Sequence, residues 1–528
     1  MHFWEKYRTG ANNLASRFTR NQFAMSAALL VATAGSLLWG QSSTPPTRAI
    51  QLPLSGFQPS GASIRQSAVP LGGSSVSTVS TQVNVQGAYN GSELDPNSPS
   101  GSVTLTLGEA IRRGLEFNLG KIGADAASWN AQAQRIAARS SLLPSVSASA
   151  SENAAKVDLQ AEGFSVSAFG ATGLNFPATV GPFHYYDVRG TLQQSLLDFT
   201  AIHNFRSARQ SANAATFDAA QAREEVVLSV TGIYLQLMAT TALVEAQRAE
   251  VQYAEASYKQ ARAQADAGNK APIEANRSLV EFQTEQQRLR SQLGDLQKLK
   301  NALARLIGLP LSIDLVITEK LQTLTPNTTS VEEAVHRSWA QRQDLRATEA
   351  RLHAAEEARK AAGAEHLPSA SVNGYYGLEG TNPNQGAGVF QASASVSVPI
   401  FNGGRIHADT LQADAVVTQR RAELSNQRGV VELDVRNAYI DLSVANDQVV
   451  TAESNQKLAL ATLQQSQDRF VVGVADSVEV VNSQEALASA DHDYVSSLFS
   501  QNLAKIALAH AMGEAERDIP ELFKGSNQ

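Results

Sequence analysis

Cysteine is missing from all 528 residues, which excludes a disulfide scaffold, thiolate zinc or iron–sulfur centres, a cysteine nucleophile and a lipidated N-terminal cysteine. Aromatic residues are scarce, at 6%, and together with abundant Ala and Gln this suits long helices better than a dense globular core. Positive charge is short too. The 43 Lys and Arg against 50 Asp and Glu leave a net charge of -7, the wrong sign for a surface that gathers nucleic-acid phosphates. Catalytic signatures are lacking: there is no Walker A loop, no nucleophile elbow and no His-Glu-x-x-His. Asp491-His492-Asp493 has ligand chemistry, but neighbouring helical residues point about 100° apart, so one helix cannot aim all three at a metal. It reads as a solvated helix face. The sequence therefore predicts no enzyme, no metal site and no cofactor.

What is present begins with an export-signal pattern over residues 1–40. Lys6, Arg8, Arg17 and Arg20 precede an apolar stretch from Phe23 to Trp39, with small residues nearby for cleavage. No later stretch approaches a transmembrane helix in length, so a membrane crossing would have to use strands. Residues 41–101 are rich in Ser, Thr, Pro and Gly and read as a disordered leader.

The rest of the chain is an internal duplication. An offset of 224 aligns 104–147 with 328–371 and superposes Leu143-Pro144-Ser145 on Leu367-Pro368-Ser369. An offset of 205 then pairs Val230, Tyr234, Leu237, Gly268 and Gly308 with Val435, Tyr439, Leu442, Gly473 and Gly513. The first copy thus carries extra residues around Glu152–Pro182. This gives a first repeat over 102–315, a second over 316–519 and a tail over 520–528. Each repeat reads helix, strand, strand, long helix, long helix, and must bury its apolar faces against copies of itself.

Residues 107–141 and 331–364 are Ala-rich and charged, and predict helices that end before Pro144 and Pro368. After those prolines the period becomes two. Phe390, Ala392, Ala394, Val396, Val398 and Ile400 alternate with Gln391, Ser393, Ser395 and Ser397, and Tyr186, Val188 and Leu192 alternate with Asp187, Arg189, Thr191, Gln193 and Ser195. Such strands are greasy on one face and wet on the other. The extra segment reads as an extracellular loop with an aromatic girdle of Phe176, Phe183, Tyr185 and Tyr186. Runs without Pro over about 200–266 and 404–470 carry apolar residues at spacings of three and four, the seam of a coiled coil some 90–100 Å long. Four strands cannot close a membrane barrel alone, so two chains (eight strands) or three (twelve) are required.

The duplicated layout, Leu-Pro-Ser at each helix-to-strand turn, Phe401-Asn402-Gly403-Gly404-Arg405, and the run from Arg469 to Glu479 resemble the TolC-like outer membrane efflux protein family over about residues 102–515. The fold class that the resemblance implies is mainly α with a membrane β-barrel. Duplicated coiled-coil hairpins would form a periplasmic α-barrel, and four strands per chain a trimeric twelve-stranded outer-membrane barrel, with short elements near 309–330 and after Gly513 as a belt. The implied role is an outer-membrane exit duct of a tripartite efflux system, working with a periplasmic adaptor (membrane fusion protein) and an inner-membrane pump. A duct for type I protein secretion fits the same residues. From the helices alone, a soluble periplasmic coiled-coil adaptor or rod fits as well.

By resemblance, Gly268, Asn269, Phe470, Val472, Gly473 and Val474 form the tip where an adaptor docks. Glu274 and Glu479 occupy acidic gate positions, while Arg277 and Asn482 stand where a second acidic residue is usual. From residues alone, Gly268 and Gly473 are helix C-caps and the glutamates are first-turn residues favoured by the helix dipole. Asp187, Arg189, Gln193, Gln391 and Ser395 are expected to face the barrel lumen, because a charge against lipid at midplane costs about 2–4 kcal/mol.

Overall fold

In the computed structural model the described residues are 63–68, 79–84, 87–98, 101–159, 161, 178–323, 330–382 and 384–524. The expected signal, most of the leader, and Phe176 lie outside them. Two strands, β1 (Ser63–Ala68) and β2 (Val79–Asn84), form an antiparallel pair within the stretch read as leader. The first repeat then runs β3 (Ser102–Leu105), α1 (Leu107–Phe117), α2 (Leu119–Ser140), β4 (Ser145–Asp158), β5 (Thr179–Leu197), α3 (Phe199–Asp266) and α4 (Pro272–Leu306). The second runs β6 (Asp314–Ile317), α5 (Val331–Gln341), α6 (Gln343–Ala364), β7 (Ser369–Gly380), β8 (Ala387–Ser397), α7 (Arg405–Val471) and α8 (Ser477–Met512), with α9 (Ala515–Lys524) after it. The expected tail at 520–528 therefore begins inside a helix.

Each expected helix over 107–141 and 331–364 is two helices, broken at Asn118 and Arg342, 224 residues apart. Neither is a conventional breaker. Asn118 turns the chain by accepting the Gly120 N–H (2.9 Å) while its own amide donates to the Tyr89 carbonyl (2.8 Å). Arg342 is buried and donates to Asp344 (2.6 Å) and Asp434 (2.7 Å), so a tertiary ion-pair network holds that break.

Part of the stretch read as leader is folded. Residues 87–98 pack on the first repeat: Tyr89 is buried, the Glu93 N–H donates to the Phe117 carbonyl (2.9 Å), and the Asp95 N–H to that of Gly308 (3.0 Å). Arg113 and Asp95 add an ion pair at 2.9 Å. Polar backbone capping helix ends has no periodicity to read, which is why composition alone misses it.

The main core surrounds the middle of α3. Val226, Val230, Tyr234, Leu235 and Leu237 are buried among Leu105 of β3, Ile111 of α1, Leu303 and Leu306 of α4, Leu315 of β6 and Leu503 of α8. The Tyr234 hydroxyl lies 2.7 Å from the Glu319 carboxylate and 3.0 Å from the Leu105 carbonyl. One window of this helix has a mean hydropathy of 1.6, enough to span a membrane by composition, which corrects the reading that none exists beyond the signal. It is 72% buried inside the chain, and its apolarity is spent on the waist, where β3 and β6 pair in parallel.

The remaining strands form one antiparallel sheet in the order β4-β5-β7-β8. The described ends of the insertion lengthen the first hairpin, with 14 and 19 residues in β4 and β5 against 12 and 11 in β7 and β8, while residues 160 and 162–177 of the expected loop lie outside the described residues. Phe183, Tyr185 and Tyr186 stand on β5 itself, in register with Ala155, Asn153 and Glu152.

Gly308 (φ +75°) shows how tightly the waist closes, since a Cβ there would sit 2.6 Å from the Glu93 carbonyl oxygen and 2.7 Å from Phe117 Cβ. Backbone cannot yield as a side chain can. Gly308→Ala is expected to destabilise the fold by about 2–4 kcal/mol, combining left-handed strain with overpacking. Thermal unfolding in detergent checks this, and an unchanged midpoint would contradict the packing described.

Candidate functional site

Two long helical hairpins end in the same turn. In the first, the Gly268 N–H donates to the Ala265 carbonyl (3.0 Å) and the Asn269 N–H to that of Gln264 (2.9 Å). In the second, Gly473 N–H donates to Phe470 (3.1 Å) and Val474 N–H to Arg469 (2.9 Å). Both are Schellman motifs, with the glycines at φ +73° and +79°. No neighbouring atom would touch a Cβ at either glycine, so both are needed for their backbone angle and not for space. The helices that leave the turns differ at the cap: α4 starts on Pro272, whereas Asp476 caps α8 by accepting the Glu479 N–H (3.0 Å).

The tips also differ in surface chemistry. Gly268 and Asn269 make the first turn polar, with one exposed apolar residue, Ile273, just beyond it, while Val471, Val472 and Val474 are 63–72% exposed on the second. Phe470, grouped from sequence with the exposed tip, is buried at 3% with Leu463, Ala475, Val480 and Leu487. It therefore holds the second hairpin together and offers a partner no face of its own. The Lys270 ammonium lies 3.5 Å from the Phe470 ring centroid and joins the two tips by a cation–π contact. Sequence reading missed Lys270, whose counterpart at the offset of 205 is Ala475; nothing in a repeat comparison marks a residue that only one copy has.

Of the four gate candidates, two pair with each other and a third pairs with a residue outside the set. Glu274 is paired with Arg277 along α4 (3.3 Å), and Glu479 with Arg469 across the second hairpin (3.3 Å). Asn482 is exposed on α8. Arg469 thus opposes the charge of Glu479, a partner that the sequence offered ten residues upstream. The pairs are solvent-screened and contribute little to stability, so their effect lies in the local field.

On the sheet, register decides which residues share a face. Asp187, Arg189, Thr191 and Gln193 on β5 align with Ser151, Ser149, Ser147 and Ser145 on β4; Thr191, Gln193 and Ser195 align with Tyr375, Asn373 and Ser371 on β7, and these with Gln391, Ser393 and Ser395 on β8. All five expected lumen residues therefore lie on one polar face. The opposite face carries Val146, Val188, Leu192, Tyr376, Leu378, Phe390 and Val396, each exposed. Arg189 Nε donates to Asp187 (2.7 Å), and its guanidinium covers the Tyr375 ring at 4.6 Å, so these two charges on the polar face are tied down.

Asp491 is half-buried and accepts from Gln456 of α7 (2.7 Å), while His492 is exposed, so the triplet spreads around its helix as geometry requires. Among the described residues no group of three or more His, Asp or Glu could hold a metal ion. If the Lys270–Phe470 contact carries energy, Lys270→Met should cost about 0.5–1 kcal/mol in the parent chain and nothing beside Phe470→Leu. A double-mutant cycle on thermal unfolding measures it; equal costs in both backgrounds would show no coupling.

The sequence profile described as "Outer membrane efflux protein" matches residues 124–309 and 334–514, one block in each repeat. No curated protein sequence gives a match. Among solved structures, the outer membrane protein VceC from Vibrio cholerae is similar at a TM-score of 0.65 and 19% identity, covering 77% of this chain and 96% of its own. The Campylobacter jejuni CmeC outer membrane channel is similar at 0.67 and 16%, covering 85% and 98%. The open state of the Neisseria gonorrhoeae MtrE outer membrane channel reaches 0.62 and 18%, covering 86% and 98%. The profile covers both halves of the duplication, and the shared fold extends over nearly the whole length of those channels. The chain therefore belongs to the outer membrane efflux protein family, as an outer-membrane channel with a periplasmic helical extension.

Proposed function

We propose that this channel is the exit duct of a tripartite efflux system, a homotrimer that conducts passively while an inner-membrane pump supplies energy through a periplasmic adaptor. The observation that carries the reading is the union, in one chain, of a sheet with one apolar and one polar face and two hairpins, each with one helix about 100 Å long, that end in exposed turns. Three four-stranded sheets make twelve strands, with Asp187, Arg189, Gln193, Gln391 and Ser395 lining the water-filled side. The valines at the second tip give an adaptor an apolar foothold, and the polar turn at Gly268 and Asn269 gives a hydrogen-bonding one. Opening is a splaying of the hairpins that breaks the Lys270–Phe470 bridge, a two-state change that adaptor contacts bias. Glu274, Arg277, Glu479 and Asn482 set the field at the narrow end. Nothing in this scheme requires the chain to catalyse a reaction.

The first test is the native mass of protein extracted from outer membranes: a particle of three chains supports the duct, and a soluble monomer or dimer overturns it. Val472→Asp with Val474→Asp should leave the trimer and its unfolding midpoint unchanged but abolish efflux in cells; full efflux would remove the tip from the docking surface. At the gate, Arg469→Gln should raise cation selectivity in single-channel recordings by freeing Glu479, and Glu479→Lys should reverse it. Selectivity unmoved by both changes would place the filter elsewhere.

A further inference from the structure

Roughly 20–27 Å from the turns, at 1.5 Å per residue, the first hairpin meets α8 across a patch of carboxyl groups. Glu250 of α3, Glu281 and Glu285 of α4, and Gln484 and Glu485 of α8 line an interstice of about 200 Å3 that has no position for a water molecule. Glu250 and Glu285 are each only 5% exposed. Glu285 is provided for, since Gln247 donates to it and Arg288 donates at 2.5 Å. Glu250 is not: its Oε1 is buried without a hydrogen-bond partner. Gln484, 4% exposed, likewise has a buried side-chain Nε2 that bonds to nothing. Glu281 sits in hydrogen-bonding contact with Glu285, which two ionised carboxylates cannot sustain.

The charged groups that face this space are Glu250 from α3, Glu281, Glu285 and Arg288 from α4, and Glu485 and Asp491 from α8; α7 contributes the neutral Gln456, bonded to Asp491. With Glu250 and Glu285 buried, Glu281 in contact with Glu285, and one guanidinium beside them, these carboxyls cannot all be ionised at once. The space excludes a hydrated cation, and the ligand that fits between paired carboxyls is a proton.

We propose that this cluster is a proton-operated latch: with its protons in place α3, α4 and α8 stay closed, and their loss drives α8 away from the first hairpin. The latch adds regulation to the gate described above and rests on that reading for its effect on conduction, whereas the closing of the helices stands without it. Burial, reinforced by Asp491, Glu285 and Glu281, pushes Glu250 up to about 7; burial, the contact with Glu285 and the charge of Glu485 push Glu281 up to about 7. Both lie above the ordinary value of 4.5, so the closed arrangement binds extra protons between these limits. Its stabilisation is complete below about pH 4.5 and is lost as the pH rises through about 7.

The chain has no cysteine, so spin labels go only where they are placed. Nitroxides on Gln283→Cys of α4 and Ser489→Cys of α8, both exposed sites, report the gap between the helices when labelled protein is diluted into unlabelled protein in detergent. The separated population should grow at least about tenfold from pH 5 to pH 8, because a one-unit difference in pKa between the states is a tenfold change. In E250Q/E281Q, which keeps shape without charge, it should stay low at every pH. Glu485→Gln, at an exposed position, should move the midpoint to lower pH by removing a neighbour that holds the Glu281 proton. A parent that does not respond, a double variant that responds as the parent does, or an unmoved midpoint in Glu485→Gln would overturn the latch. Bilayer recordings separate the two readings: pH-dependent separation without any conduction would discard the duct and leave the latch standing.

Discussion

The unpaired backbone groups along β4 and β8 constrain everything else in the chain. The sheet they bound presents Val146, Val188, Leu192, Phe390 and Val396 on one face, a surface made for lipid. In hydrocarbon each open N–H or C=O costs several kcal/mol, so such a sheet is stable only when both edges are paired, as further copies of the chain would pair them in the proposed trimer. In that proposed trimer, closure at the membrane end brings the helices below into a ring, and their length carries the polar interior well away from the bilayer.

Within the chain, closure depends on four glycines in the left-handed region, two per repeat. Gly268 and Gly473 turn the long helices back, while Gly308 and Gly513 end them at the waist. A Cβ on Gly308 would strike Phe117 beside the break at Asn118, and one on Gly513 would lie 3.1 Å from the Cα of Arg342, the other break. Each returning helix therefore ends against the joint between its repeat's two short helices. The duplication preserves this lock although one joint is held by an asparagine and the other by an arginine.

Much of this was legible because the repeat supplied its own comparison. Periods of two and of three to four are strong over long segments, and Pro144 and Pro368 mark real ends. Local periodicity could not reveal the breaks at Asn118 and Arg342, since their causes are contacts with Tyr89 and Asp434, distant in sequence. Nor could it reveal that 87–98 is folded, because that segment is held by backbone hydrogen bonds. At the tips the turn itself could be read from Gly268 and Gly473. The roles of Lys270, Arg469 and Phe470 could not: a cation over a ring, a cross-hairpin pair and a buried aromatic are facts of packing. The carboxyl cluster was invisible for the same reason, its members being scattered over three helices and unremarkable in each.

The unequal hairpins shape the far end of the molecule. Pairing between β5 and β7 stops at Tyr186 and Gly380, so residues 179–185 continue with β4 alone, adding roughly 20 Å of two-stranded ribbon. A ring built from such chains has a crenellated outer rim, tall hairpins alternating with short ones. In the proposed trimer the taller hairpins would carry Phe183 and Tyr185 beyond the ends of the shorter ones, so that whatever approaches the rim from outside meets an aromatic, uneven edge.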